Sequence, residues 1–363
     1  MDSALIWEMV IKAIVLILAL LTGFAYLTYY ERRGLARIQS RLGPNRAGPQ
    51  GLLQPVADAV KLIFKEEFIP GQAYKVIFVL APIITVVPAI LITATVPWGG
   101  TVMIGGREVA LGIADINVGV LYIMSVASIA VYGVVLGGWA SNNKYAMMGG
   151  LRSTAQMVSY EIALGLSFVG VILLADSMRM TEIVEAQRGL WFAFLQPVGA
   201  VVFFFATLAE LNRGPFDMPE AEQELSAGFN VEYSGMKFAL FFMAEYTKMV
   251  SISAIIAVLF WGGYRGPFID TMPGLGPLYM FIKILIILGM MIWVRASWPR
   301  IRYDRLMDLG WKILLPLSLA LVFINATGIL LDQMWLIPLL SIGAGYIAVQ
   351  AINLSLRRKE NAR

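Results

Sequence analysis

Nine runs of about 20 apolar residues recur along the chain, each long enough to cross the roughly 30 Å hydrocarbon core of a bilayer as an α-helix. The 363 residues are 59% hydrophobic and only 14% charged, and the mean hydropathy is +0.74, outside the range of soluble domains. Backbone polar groups in hydrocarbon must be satisfied within the chain. The pattern therefore predicts an all-α, polytopic transmembrane helical bundle, with residues 1–363 forming a single integral membrane domain. The predicted spans are 5–30, 76–96, 117–139, 156–176, 191–211, 235–262, 275–295, 311–331 and 334–354.

The first run is expected to remain in the mature chain. It carries Glu8 and Lys12, and it ends in YYERR without the small residues of a signal-peptide cleavage site. The odd-numbered loops and the C-terminal tail together hold 20 Lys and Arg residues, against four in the even-numbered loops. By the positive-inside rule, we expect the N-terminus to lie outside and the C-terminus in the cytoplasm.

The first basic loop, 31–75, contains a periodic segment, GLLQPVADAVKLIFKEEF. Its apolar residues recur at steps of three and four, whereas Asp58, Lys61 and Lys65 lie towards the other face. Too short and too charged to span the membrane, the segment predicts an amphipathic helix lying in the interface. Periodicity alone leaves two roles open, an electrostatic anchor to anionic lipid or a part of a functional site.

Carboxylates are concentrated in and beside the fifth span. The segment 209–235, AELNRGPFDMPEAEQELSAGFNVEYSG, sets its acids against a single arginine, Arg213. Carboxylates crowded at a membrane must be hydrated, paired or protonated, so the segment is suited to taking up and releasing protons. A structural reading is also open, because Asp217 with Pro219 and Glu220 forms an ordinary helix start.

Three further carboxylates fall within or at the ends of predicted spans, Glu161, Glu210 and Glu245. Burying an ionised side chain at the centre of a span costs about 2.5 to 3.5 kcal/mol, so each requires a reason. The pairs Glu245 with Lys248 and Glu8 with Lys12 have helical spacing and could be local ion pairs. Three acids from different helices beside an acidic loop favour a hydrated proton path.

The absence of certain residues excludes other chemistry. With no Cys and no His, the chain offers neither iron–sulfur ligands nor the usual haem ligands, so we expect no redox centre and no metal site. The glycine-containing string GAGYIA at 343–348 lies inside the last apolar run, where a dinucleotide-binding turn is not expected. Nothing in the sequence indicates binding to nucleic acid.

Five ordered motifs carry a resemblance to a known family. They are RLGPNRAGPQGLLQPVADAVKLIFKE (41–66), GWASNNKYAMMGGLRSTAQMVSYE (138–161), AELNRGPFDMPEAEQELSAGFNVEYSG (209–235), FFMAEYT (241–247) and RASWPRIRYDRLMDLGWK (295–312). Over nearly its whole length the chain resembles the H-type membrane subunits of proton-translocating NADH:quinone oxidoreductase, respiratory complex I. All five motifs fall in odd-numbered loops or in the adjacent helices, and the ninth span is a departure from the many relatives that have eight.

The resemblance implies roles for particular residues. No residue of this chain would be catalytic in the redox sense. The polar lining of a quinone tunnel, together with one apolar contact, would correspond to Glu31, Arg32, Arg41, Asp58, Arg213, Asp217 and Phe229. A proton-coupling path would correspond to Glu161, Glu210, Glu220, Glu222, Glu224 and Glu245. The segment 209–235 would be an acidic coupling loop, and the basic loop 295–312, with Arg295, Arg300, Arg302 and Arg305, would face the peripheral arm.

The resemblance also implies the surroundings of the chain. Quinone would be the substrate of the complex, no cofactor would be bound by this chain alone, and FMN and iron–sulfur clusters would reside on partner subunits. The expected partners are the quinone-site and iron–sulfur subunits of the peripheral arm, small membrane subunits, antiporter-like subunits and lipid, in a bacterial inner membrane. Two alternatives stay open here: the homologous membrane subunit of an energy-converting hydrogenase or of a complex fed by ferredoxin or deazaflavin, and a stand-alone cation transporter.

Overall fold

The structure, a computed structural model, describes residues 3–104, 106–218 and 228–361. The described part of the chain is a bundle of α-helices with one short β-hairpin. The helices are α1 (Ser3–Ile38), α2 (Gln54–Ile63), α3 (Lys75–Leu91), α4 (Gly119–Ala140), α5 (Lys144–Ala175), α6 (Met180–Ala186), α7 (Phe192–Leu195), α8 (Pro197–Glu210), α9 (Gly235–Phe260), α10 (Gly276–Ser297), α11 (Tyr303–Leu309), α12 (Leu315–Leu330) and α13 (Leu336–Asn361).

The predicted helical membrane fold is confirmed. Within the described ranges, seven helical segments are long and apolar enough to cross a membrane, and two shorter apolar helices occupy the fifth and ninth predicted runs. The fifth run is divided into α7 and α8, because Pro197 begins a new helix after Gln196 leaves helical geometry. Conversely, α1 continues eight residues past its predicted end and reaches Ile38.

Helix α9 lies at the centre of the bundle. Every residue from Tyr246 to Phe260 is buried, which is the behaviour of a helix that is apolar on all sides and surrounded by others. It packs against α1, α3 and α10. Charged or hydrogen-bonding side chains on α9 must therefore find partners inside the protein.

Small residues allow the closest helix contacts, between α3 and α4. A Cβ atom at Gly133 would lie 2.0 Å from Oγ1 of Thr85 and 2.8 Å from the carbonyl oxygen of Ala81. A Cβ atom at Gly138 would lie 2.7 Å from the carbonyl oxygen of Ala146 in α5. Lipid tails are as apolar as the helix surfaces, so the hydrophobic effect does not drive helices together within a bilayer. Close packing of this kind is one of the interactions that do.

The predicted amphipathic helix is present as α2, a helix of ten residues. The apolar residues Val56, Val60 and Ile63 are exposed, so the other described residues of the chain do not cover that face. Its charged side contacts α1, where Arg32 Nη1 lies 2.7 Å from Asp58 Oδ2. The location of α2 in a lipid interface stays a prediction.

The sequence reading missed the β-hairpin in the second loop. Strands β1 (Thr101–Ile104) and β2 (Arg107–Ala110) pair antiparallel, with Thr101 opposite Ala110. The hairpin lies beside the first turns of α1 and the loop before α10. It belongs to the face opposite the basic loops.

Candidate functional site

A buried carboxylate, Glu31, lies where α1, α9, α10 and the loop after α8 meet. Its side chain is 2% exposed and belongs to the last turns of α1. Arg213 donates to Oε1 from 3.2 Å, Tyr246 donates its hydroxyl hydrogen to Oε2 from 2.6 Å, and Arg295 also pairs with Oε1. Two cations and a hydroxyl thus compensate one carboxylate that has almost no access to water.

Arg213 connects this carboxylate to a second one. Its side chain is 5% exposed, its Nε lies 2.7 Å from Glu245 Oε1, and its guanidinium carbon lies 4.3 Å from the centre of the Tyr246 ring. Burial alone would lower the pKa of Arg213, but Glu245 and Glu31 raise the pKa above its ordinary value. Arg213 therefore stays protonated and holds the two carboxylates together.

A glutamine from α5 positions the loop that carries Arg213. Gln156 Nε2 donates to the carbonyl oxygens of Ala209, at 2.7 Å, and Phe216, at 2.8 Å. These two carbonyls stand on either side of Arg213, and Gln156 is fully buried. A single side-chain amide thereby fixes both ends of the turn between α8 and the segment that follows.

A second buried ion pair lies deeper in the bundle. Lys248 Nζ, on α9, is 2.7 Å from Glu210 Oε1, at the end of α8. The spacing of Lys248 suggests a local pair with Glu245, but the structure pairs Glu245 with Arg213 and Lys248 with Glu210. Both contacts join separate segments of the chain. By contrast, Glu8 and Lys12 do form the predicted local pair, at 2.5 Å.

Two small cavities meet at this second ion pair. One of about 60 Å³ is lined by Glu245, Glu210 and Lys248, with Phe229 on its apolar wall. The other, of about 20 Å³, is lined by Glu210, Lys248 and Glu161. A buried water needs about 10 to 15 Å³ of cavity volume and two to four polar partners. The first cavity has room for a few waters and the second for about one.

Glu161 lies at the far end of this series. Its carboxylate accepts a hydrogen bond from Ser128 Oγ, on the neighbouring helix α4. The described acids therefore follow one another from Glu31 through Glu245 and Glu210 to Glu161. Ion pairs connect the first two through Arg213, and cavities large enough for water separate the others.

The other residues assigned by resemblance to the quinone tunnel lie in different parts of the structure. Asp58 pairs with Arg32 and accepts from Gln54 at 3.0 Å, on the side of α2 that contacts α1. Arg41 is exposed and donates to Gln39 at 2.7 Å.

The last two residues assigned to the quinone tunnel, Asp217 and Phe229, lie away from α2. The backbone carbonyl of Asp217 accepts a hydrogen bond from Arg300. The ring of Phe229 packs against that of Phe241, with the ring centres 5.2 Å apart. The predicted acids Glu220, Glu222 and Glu224 lie outside the described residues. Across the described ranges, no group of three or more acidic side chains is arranged to hold a metal ion.

Two residues that contact Glu31 were not predicted from the sequence to do so. Tyr246 was not singled out, although a hydroxyl on a helix buried on all sides must find a polar partner. Arg295 was assigned to the surface facing the peripheral arm, yet it pairs with Glu31. The position of Arg295 at the end of an apolar span, on the same face as Glu31, was the available signal.

Comparison with known proteins gives a consistent result. A family model described as NADH dehydrogenase matches residues 11–326. The second H-type subunit of NADH-quinone oxidoreductase from Geobacter metallireducens is 48% identical over 336 residues, covering 89% of this chain and 95% of that protein. The first H-type subunit from Geobacter sulfurreducens is 48% identical over 337 residues, covering 90% and 95%, and the second from Syntrophobacter fumaroxidans is 47% identical over 322 residues, covering 89% and 96%. The matched range contains all five sequence motifs and the whole buried ion network.

Proposed function

Because the chain belongs to the NADH dehydrogenase family, as an H-type subunit of NADH-quinone oxidoreductase, we propose that it contributes to a quinone-binding tunnel and couples quinone reduction to proton translocation. The family resemblance inferred from the five motifs is confirmed by these relatives. The observation that carries the proposal is the position of Arg213 between Glu31 and Glu245. Through it, the loop face of the protein is joined electrostatically to carboxylates inside the bundle.

The proposed quinone region comprises the end of α1, the loop and helix within 31–75, and the segment after α8. Reduction of a quinone by two electrons requires two protons, and the transient anion is stabilised by nearby cations in a partly dry site. The buried Arg213 and the half-buried Arg295 supply that positive charge. The residues assigned to this region by resemblance are Glu31, Arg32, Arg41, Asp58, Arg213, Asp217 and Phe229.

The proposed coupling path leads from this region into the membrane. Protons taken up by the reduced quinone come from nearby acids, which leaves added negative charge beside Glu31 and Glu245. Repulsion then favours reprotonation of coupled carboxylates, with Glu210 and Lys248 between the two cavities and Glu161 beyond them. Glu220, Glu222 and Glu224 in the acidic coupling loop, 209–235, join the path on sequence grounds alone.

In this proposal the chain carries no redox centre, and electrons arrive from FMN and iron–sulfur clusters on partner subunits. The basic loop 295–312 faces the peripheral arm with Arg300, Arg302 and Arg305, which are exposed. Small membrane subunits and antiporter-like subunits adjoin the bundle. We place the complex in a bacterial inner membrane with the N-terminus outside. The names of the relatives do not favour the hydrogenase alternative.

The coupling role is tested with Glu161→Gln, which keeps the shape and the capacity to accept from Ser128 but removes the ionisable group. The control is Glu8→Gln, which removes a carboxylate from a local ion pair at the other end of the protein. NADH-driven quinone reduction and proton uptake are measured in inverted membrane vesicles, with native gels to confirm assembly. We expect Glu161→Gln to assemble normally but to lose most quinone-linked turnover and pumping, whereas Glu8→Gln retains both.

Full pumping by an assembled Glu161→Gln complex would remove Glu161 from the path. The partner assignment has its own test, because a gently purified complex should contain a flavin subunit, iron–sulfur subunits and antiporter-like chains. A nickel-containing partner with hydrogen evolution would instead support the hydrogenase alternative. Recovery of a solitary chain with neither activity would support a transporter.

A further inference from the structure

Most of the first half of α1 is exposed, at the end opposite the buried ion network. No residue from 6 to 19 is buried, and Leu20 is the first buried residue after them. Between this half of the helix and the loops of the bundle lies a cavity of about 680 Å³. That volume falls within the range of about 300 to 1,000 Å³ found for small-molecule sites.

The walls of this cavity are both charged and apolar. On α1, Glu8 and Lys12 face it, with Met9 between them in sequence. Val96 and Ile113 contribute apolar surface from the loops around the β-hairpin. Such a combination suits an amphiphile, with a charged headgroup at the interface and apolar chains beside the exposed surface of α1.

The opposite wall carries two ion pairs. Arg265 pairs with Glu185, which also accepts from the Tyr264 hydroxyl at 2.9 Å, and Arg188 lies 3.3 Å from Asp270. Arg265 also lines the cavity. A guanidinium is suited to a phosphate, which accepts through several oxygens.

The charges on the walls indicate which headgroup fits. Three cations, Lys12, Arg188 and Arg265, line the cavity against four carboxylates, Glu8, Asp115, Glu185 and Asp270. An anionic headgroup would add negative charge to a wall that already has an excess of it. A zwitterionic headgroup offers phosphate to the cations and an ammonium to the carboxylates, so its own charges are both compensated.

We propose that this cavity binds one phospholipid with an ethanolamine headgroup, in the leaflet opposite the ion network. Its phosphate contacts Arg265 and Lys12, and its primary ammonium donates to the carboxylates of the rim. Its acyl chains lie along the exposed apolar residues of α1. The lipid fills the gap between α1 and the bundle and so fixes the angle at which the helix leaves it. This site is independent of the proposed coupling path.

The experiment uses the complex purified in mild detergent from its own membrane. Phosphatidylethanolamine bound per complex is counted by native mass spectrometry, for the wild type and for Arg265→Gln and Arg188→Gln. The matched control is Lys237→Gln, because Lys237 forms an ion pair with Glu67 on the other face and its side chain is 12% exposed, the same as Arg265. Delipidated complex is then offered phosphatidylethanolamine or phosphatidylglycerol with identical chains, or soluble glycerophosphoethanolamine.

We expect one tightly held phosphatidylethanolamine in the wild type and in Lys237→Gln. At equal lipid concentration, Arg265→Gln should retain about tenfold less phosphatidylethanolamine per complex, which is the loss expected for one charge-assisted hydrogen bond. Arg188→Gln, a change at an exposed position that leaves folding intact, should also weaken retention.

Equal retention in all variants would overturn the proposal, as would equal binding of phosphatidylglycerol. Displacement by the soluble headgroup at the same concentration would exclude a lipid site. A cryo-EM map showing a helix of another subunit in the cavity would also refute it.

Discussion

The ion pair between Lys248 and Glu210 allows the electrostatics of the bundle to be tested directly. The two side chains are 7% and 4% exposed, and their charged atoms are 2.7 Å apart. Lys248→Met retains much of the side-chain volume but leaves the Glu210 carboxylate without its cation. Removing one partner of a buried pair costs about 3 to 5 kcal/mol, because the remaining charge is not compensated.

The two cavities beside Glu210 moderate this cost. Their volumes of about 60 and 20 Å³ allow a few waters to approach an unpaired carboxylate. We therefore expect the lower end of the range, about 3 kcal/mol. In the double variant Glu210→Gln/Lys248→Met no charge is left, and the cost should fall to about 1 kcal/mol or less.

The assay is the rate at which the chain leaves the purified complex at a fixed temperature, followed on native gels. Each 1.4 kcal/mol expressed in the barrier changes a rate about tenfold, so Lys248→Met should dissociate roughly 100-fold faster than the wild type. The double variant should return to within about tenfold. Equal lability of the single and double variants would refute the reasoning, because the loss would then arise from packing rather than from an uncompensated charge.

Three further predictions follow from other contacts. Gln156→Met should lower quinone-linked turnover several-fold and stability by about 1 to 3 kcal/mol, because two hydrogen bonds that fix the Arg213 loop are lost; turnover and dissociation rates measure this, and unchanged turnover would contradict a positioning role. Gly133→Ala should prevent accumulation of the assembled complex in membranes, because its Cβ would lie 2.0 Å from Oγ1 of Thr85; normal assembly on native gels would show that α3 and α4 can separate. The chain has no Cys, so single cysteines report topology: an impermeant maleimide should label Gly189→Cys in intact cells and Gly71→Cys only in inverted vesicles, and the reverse pattern would invert the predicted orientation.

Much of the fold was predictable from the sequence, because the solvent imposes it. Nine apolar runs predicted nine helical segments, and each is present as a long or a short helix. The amphipathic period of 51–68 predicted α2, although the helix is shorter than the segment. The β-hairpin was missed, because each of its strands has only four residues and the loop shows no extended alternation.

The candidate site was predicted in composition but not in its pairing. Glu161, Glu210 and Glu245 stood out because ionisable residues in apolar spans require compensation. The partner of each acid could not be read from spacing. The local rule for residues three apart suggested Glu245 with Lys248, whereas the structure pairs Glu245 with Arg213 and Lys248 with Glu210.

The sequence by itself determined that the chain is a helical membrane protein, which segments are long and apolar enough to cross a bilayer, and which acids must be compensated. These properties follow from the free energy of transferring each residue from water to hydrocarbon, and that free energy depends on the local composition of the chain. Only the tertiary structure decided that Arg213 lies between Glu31 and Glu245, and that Glu210 and Lys248 separate the two cavities. A buried charge interacts with whatever lies within a few ångströms, and those neighbours come from helices that are distant in sequence.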